Sequence, residues 1–200
     1  MATGRKNRRD EIVAATVRLV SRQGVSGASI RQIATEAGVT EGALYRHFES
    51  KDDLCQQAYR QIVADMAEEK EQILKSVAPL PARLREWIRL SYAYFDRYPE
   101  AFTYVVLTPY DFAESDIANR QGRLLTAMLT DANRAGQLPD MDPALALSHF
   151  TGLMLNIPRL INDRVLLGPA SQYVDAVAAA VWAVLGVEGE TEGQGLDDRS

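Results

Sequence analysis

The chain has 200 residues, 46% of them hydrophobic, and carries 22 Lys and Arg against 27 Asp and Glu for a formal charge of −5. That apolar share excludes a disordered chain, and the longest near-continuous apolar run, residues 176–187, is shorter than the roughly 18 residues a membrane span needs, so no spanning helix is expected. Cys55 is the only cysteine, which excludes an intrachain disulfide, and the first residues lack an apolar leader core; together these predict an intracellular, cytoplasmic chain.

The charge is unevenly placed. Residues 1–52 hold 9 basic and 6 acidic side chains, and the remainder holds 13 and 21, so a net +3 segment precedes a net −8 segment. Arg5, Lys6, Arg8 and Arg9 come before any acidic residue, and residues 1–8 are expected to form a disordered basic arm able to lie along nucleic-acid phosphates.

Ile12, Ala15 and Leu19 fall on one stripe and Val13, Val17 and Val20 on a second, predicting a first helix over 9–23 with Gly24 as its stop. Ser29 stands three residues before Gln32, a capping box that starts a second helix over about 30–36. Ala37-Gly38-Val39 breaks it, and Thr40 caps a short third helix through about Phe48. Two short helices around a glycine turn form a helix-turn-helix candidate. On the third helix Leu44 and Phe48 share the inward face, whereas Gly42, Ala43 and Arg46 point outward, with Tyr45 and His47 on the flanks.

That outward face is small in its first turn, so it can approach a major groove closely. The Ala43 methyl can meet a thymine methyl, and Arg46 can reach a guanine edge or a phosphate. Thr40, Tyr45, His47 and Lys51 have the reach and donors for phosphate oxygens. Each of these residues also has an ordinary use in packing or solvation; only their combination fits one docking geometry.

Ser50-Lys51-Asp52-Asp53 starts a fourth helix. Leu54, Ala58, Ile62 and Met66 recur at steps of four and the pattern resumes at Ile73, Leu74 and Val77, predicting one helix over 51–77, about 40 Å long. Pro79 and Pro81 end it. Helical patterns follow at 82–97, 99–107, 117–135, 143–163 and 169–185, with Pro158 expected to kink or end the fourth of these. No strand pattern or repeat is present. Residues 188–200, with five acidic residues and three glycines, are expected to be a disordered acidic tail.

Residues 9–54 resemble the DNA-binding domain of the TetR family of transcriptional regulators. The likeness is carried by Ser29-Ile-Arg-Gln-Ile-Ala-Thr-Glu-Ala-Gly-Val-Thr-Glu-Gly-Ala-Leu-Tyr-Arg-His-Phe-Glu-Ser-Lys51 and by Leu54. The resemblance implies an all-α protein divided into a helix-turn-helix domain at 9–52 and a ligand-binding and dimerisation domain at 53–187. It implies a homodimeric repressor that a small, largely apolar effector releases from a palindromic operator. The alternative is a DNA-binding regulator without an effector, controlled by a protein partner or by abundance. By position, Arg31, Thr40, Glu41, Gly42, Ala43, Tyr45, His47 and Lys51 match family positions that often touch DNA. Glu41 departs from the neutral or basic residue expected there; it can accept from cytosine N4 or repel phosphate.

Nine of the 15 aromatic residues lie between Trp87 and Phe112. Such a stripe is more often core than binding site. The resemblance tilts Trp87, Tyr92, Phe95, Phe102, Tyr104 and Tyr110 toward an effector pocket, with Met128, His149, Phe150 and Met154 from later helices. The apolar segments 143–163 and 169–185 are expected to pair with a second copy as a four-helix bundle. With two histidines in all, no Gly-rich phosphate loop, no HExxH and no paired metal-ligand spacing, the residues speak against an enzyme and imply neither a metal nor a cofactor.

Overall fold

The computed structural model describes residues 7–107, 120–139 and 141–188, and contains no strand among them. Its helices are α1 (Arg8–Gly27), α2 (Ile30–Glu36), α3 (Glu41–Leu44), α4 (Lys51–Glu68), α5 (Glu71–Lys75), α6 (Leu80–Arg97), α7 (Pro99–Leu107), α8 (Arg120–Arg134), α9 (Pro143–Asn162) and, after a 3₁₀ turn at Ala170–Tyr173, α10 (Val174–Leu185). The fold is all-α. Most of the basic arm, residues 117–119 and nearly all of the acidic tail lie outside the described residues; Arg8, expected in the arm, opens α1.

The chain forms two compact units. The first takes residues up to Glu69 together with Ala93–Arg123; the second takes Lys70–Tyr92 and everything from Leu124. The boundary expected at 52/53 thus falls inside the first unit, because α1 packs on α2, α4 and α7, and α4 also packs on α7. Ile12, Ala15 and Val20 of α1, Ile33 of α2, Leu54 and Ala58 of α4 and Phe102 of α7 are buried there. Phe95 and Phe102 meet edge to face at 5.5 Å, and the Tyr104 hydroxyl donates to the Cys55 carbonyl at 2.9 Å. Burial pushes the Cys55 thiol up, which keeps it an inert core group.

Local chemistry explains the first unit's breaks. At Gly24 the backbone adopts φ 74° and ψ 167°, a region essentially restricted to glycine, so α1 kinks where its stop was expected and adds one more turn. Helix α2 ends with Gly38 at φ 66°, while Val39 N–H reaches back to the Ala34 carbonyl and Gly38 N–H to that of Thr35, a Schellman closure.

The expected helix over 51–77 is not continuous. Helix α4 stops at Glu68, and regular pairing resumes only at Glu71. Glu69 and Lys70 keep near-helical dihedrals, but Lys70 turns inward: it is 2% exposed and its ammonium lies 5.0 Å from the Trp87 ring centre. Val77, counted in the apolar pattern, is fully exposed.

In the second unit α9 packs on α10. Trp182 Nε1 donates to the Pro81 carbonyl at 3.2 Å, and Arg85 pairs with Asp175 at 2.7 Å. Pro158, expected to kink or end the helix, does not end α9; it is buried inside it. Proline has no N–H for the carbonyl four residues back, here Met154. The buried Tyr92 hydroxyl supplies the missing donor, 2.9 Å from the Met154 oxygen. Helix α9 also corrects the expectation that no helix can span a membrane: by length and composition alone it is long and apolar enough. A search for uninterrupted apolar runs overlooks it because Ser148, His149 and Asn156 interrupt the pattern.

Candidate nucleic-acid interface

Three caps in succession build the surface. The Ser29 hydroxyl accepts from Gln32 N at 3.2 Å while Gln32 Oε1 accepts from Ser29 N at 2.9 Å, fixing where α2 starts. Thr40 Oγ1 accepts from Ala43 N at 3.2 Å and starts α3. Ser50 Oγ accepts from Asp53 N at 3.0 Å and starts α4, which brings Lys51 into its first turn.

Regular helix in α3 covers only four residues, but Phe48 N–H still bonds the Leu44 carbonyl at 3.1 Å, so the turn continues to Phe48. Leu44 and Phe48 are buried at 0% and 2% exposure, the inward anchors the wheel predicts. Arg31, Thr40, Glu41, Gly42, Tyr45, Arg46 and His47 are exposed, and Ala43 and Lys51 are half-buried. Tyr45 is 53% exposed, which removes the core-packing reading for its ring. A Cβ built on Gly42 meets nothing within 4 Å. Arg31, Arg46 and Lys51 enter no ion pair among the described residues, so their charge is available to phosphate.

Sequence reasoning missed what holds this surface in place. Arg9, read from the sequence only as the last of the leading basic residues, lies 5.5 Å over the Phe48 ring and donates to Gln57 Oε1. Gln57 Nε2 in turn donates to both Asp53 carboxylate oxygens, at 2.9 and 3.0 Å, and Asp53 Oδ2 accepts from Glu49 N at 3.0 Å. This network ties the start of α1 to the α3–α4 junction. Its members stand up to 48 residues apart, and no local motif signals the pairing.

The ten residues expected to line a pocket divide between the units. Trp87, Tyr92, Met128, Phe150 and Met154 are buried in the second unit, where His149 is half-buried with a solvent-inaccessible Nδ1 that has no hydrogen-bond partner. Phe95, Phe102 and Tyr104 are buried in the first unit, and Tyr110 lies outside the described residues. Tyr92 and Tyr104 have their hydroxyls committed to backbone carbonyls. Among the described residues no cluster of three metal-ligating side chains occurs.

Residues 12–58 match the family described as bacterial regulatory proteins, tetR family. The transcriptional repressor KstR2 of Rhodococcus jostii is 29% identical over 94 residues, 47% of this chain and 46% of that protein. The transcriptional regulator AcrR of Shigella flexneri is 52% identical over 46 residues, 23% of this chain and 21% of that protein. The matches thus span about half the length of these curated relatives or less. Among solved structures, the regulator FadR from Bacillus subtilis in complex with stearoyl-CoA superposes with a TM-score of 0.72 at 17% identity, covering 86% of this chain and 96% of that one, a likeness of fold.

Proposed function

Because the chain belongs to the TetR family of bacterial regulatory proteins, whose members are regulators and not enzymes, we propose that it is a homodimeric repressor released from a palindromic operator by a small, largely apolar effector. The observation that carries the DNA-binding part is the exposed, small-faced turn at Glu41–His47, anchored by Leu44 and Phe48 and flanked by the unpaired cations Arg31, Arg46 and Lys51. In this reading the start of α3 enters the major groove. Ala43 and Arg46 face base edges, Thr40, Tyr45, His47 and Lys51 hold phosphates, and Glu41 biases against a base that cannot donate to it.

Support for the dimer comes from α9. Only 22% of its most apolar 18-residue stretch is buried, and Leu145 on α9 and Val184 on α10 are 48% and 43% exposed. An apolar face of that length needs a cover in water, and a second copy supplies one through a two-fold bundle. Two heads then meet half-sites about 34 Å apart or a multiple of that.

Support for an effector comes from the aromatic and methionine side chains of the second unit and from the unpartnered His149 Nδ1, a donor or acceptor for one polar group of a ligand. The fold likeness to FadR makes an acyl thioester the first class to try.

Selection of bound genomic fragments by the purified protein, followed by fluorescence anisotropy on the enriched site, tests the whole reading. The expected result is tight, salt-sensitive binding to an inverted repeat, weakened by acyl thioesters. Binding with no sequence preference refutes the regulator. Specific binding that no acyl thioester or apolar acid shifts favours the effector-free alternative.

A further inference from the structure

The first unit carries a concavity of about 610 Å³ away from α2 and α3, formed between α1, the C-terminal end of α4, the end of α6 and the start of α7. Its walls combine two kinds of group. Tyr94 and Tyr98 stand as a tilted aromatic pair with ring centres 5.2 Å apart. The end of α4 adds Asp65 and Glu68 to the lining, and Glu69 follows at its C-cap; none of the three has an ion-pair partner among the described residues.

The cations nearby are already committed. Arg18 pairs with Glu36 at 2.9 Å, and Arg97 lies 5.1 Å over Tyr98. The fourth carboxylate of the wall, Glu100, faces Arg22 at 3.5 Å. Asp65 and Glu68 stand three residues apart on one helical face, where like charges repel. Burial, and then Glu68, hold the Asp65 carboxyl above its ordinary range; burial and Asp65 push Tyr94 up to about 12. Negative charge is therefore gathered along one wall of the concavity that also holds the electron-rich tyrosine pair.

We propose that this concavity is a binding site for organic cations, a protonated amine or quaternary ammonium whose charge lies between Asp65, Glu68 and the Tyr94 ring. Both wall types select for the same chemistry: carboxylates attract the charge, and tyrosine faces attract weakly hydrated ammonium groups. The same walls repel a phosphate-bearing thioester. The site therefore differs from the effector region of the second unit, and it stands whether or not the chain binds DNA.

Isothermal titration of the full chain with three benzyl compounds tests this: benzyltrimethylammonium, neutral benzyl alcohol and phenylmethanesulfonate. The expected order is ammonium at least about tenfold tighter than alcohol, with the sulfonate not binding. The double variant Asp65→Asn, Glu68→Gln should weaken the ammonium about tenfold and leave the alcohol unchanged; both side chains are exposed, so the fold is retained. Tyr94→Leu should weaken the ammonium severalfold more than the alcohol. Equal affinity for ammonium and alcohol overturns the proposal, as does ammonium binding that is indifferent to the double carboxamide variant.

Discussion

Replacing Tyr92 by Phe isolates one hydrogen bond made to a carbonyl inside α9. The substitution keeps the buried ring and deletes the hydroxyl that donates 2.9 Å to the Met154 oxygen. In most helices that carbonyl would still receive the N–H four residues on, but residue 158 is proline. The loss therefore leaves a buried acceptor poorly satisfied, which costs about 1–3 kcal/mol. For a chain of this size that corresponds to a fall of roughly 2–4 °C in Tm per kcal/mol. The cost should depend on the proline. In a Pro158→Ala background the helix recovers its own donor, and Tyr92→Phe should then remove only an ordinary hydrogen bond, about 0.5–1.5 kcal/mol. A double-mutant cycle measured by urea unfolding at one fixed protein concentration reads the difference, with an expected coupling of about 1 kcal/mol. Equal costs of Tyr92→Phe in the two backgrounds would refute the argument that Tyr92 serves the carbonyl freed by Pro158.

Three further outcomes are expected. Gly42→Ala should raise stability by up to about 1 kcal/mol, since the added methyl meets open space and alanine is the better helix former, whereas Gly42→Phe should fold normally by circular dichroism yet lose operator binding at least a hundredfold; retained affinity contradicts close groove entry. Lys51→Ala should lower the slope of log affinity against log salt by about 0.9 per head, about 1.8 for a dimer, and weaken all sequences alike. Asp65→Asn should raise stability at neutral pH. Its carboxyl is held above the 3.8 of a free side chain, so the folded state binds that proton more readily, and wild-type stability declines as pH rises through the window from 3.8 to the raised value. Below that window the variant and wild type should unfold alike.

What sequence reading recovered and what it missed differ in range. Ser29 with Gln32, Thr40 with Ala43 and Ser50 with Asp53 are partners three residues apart, so their caps are written in adjacent letters. The inward pair Leu44 and Phe48 follows from one helical turn. The misses come from distant partners. The carbonyl that Pro158 leaves without a helical donor, Met154, is served by Tyr92, 62 residues before Met154 and in a different helix. The inward turn of Lys70 depends on Trp87, and the clamp on α3 depends on Arg9 reaching Gln57. Of the aromatic cluster between Trp87 and Phe112, Trp87, Tyr92, Phe95, Phe102 and Tyr104 are buried while Tyr98 is exposed, and linear proximity carried no information about how the two units divide them.

The clamp formed by Arg9, Phe48, Gln57 and Asp53 has a consequence for how such a surface can change. The short α3 is held by its Thr40 cap, by the inward-facing Leu44 and Phe48 and by contacts from α1 and α4, while Glu41, Gly42, Tyr45 and Arg46 contribute no side-chain bond among the described residues. Their side chains are thus not what holds the scaffold that aims them. A lineage carrying this framework can exchange the exposed letters, and with them its target, at a cost set by helix propensity rather than by lost contacts.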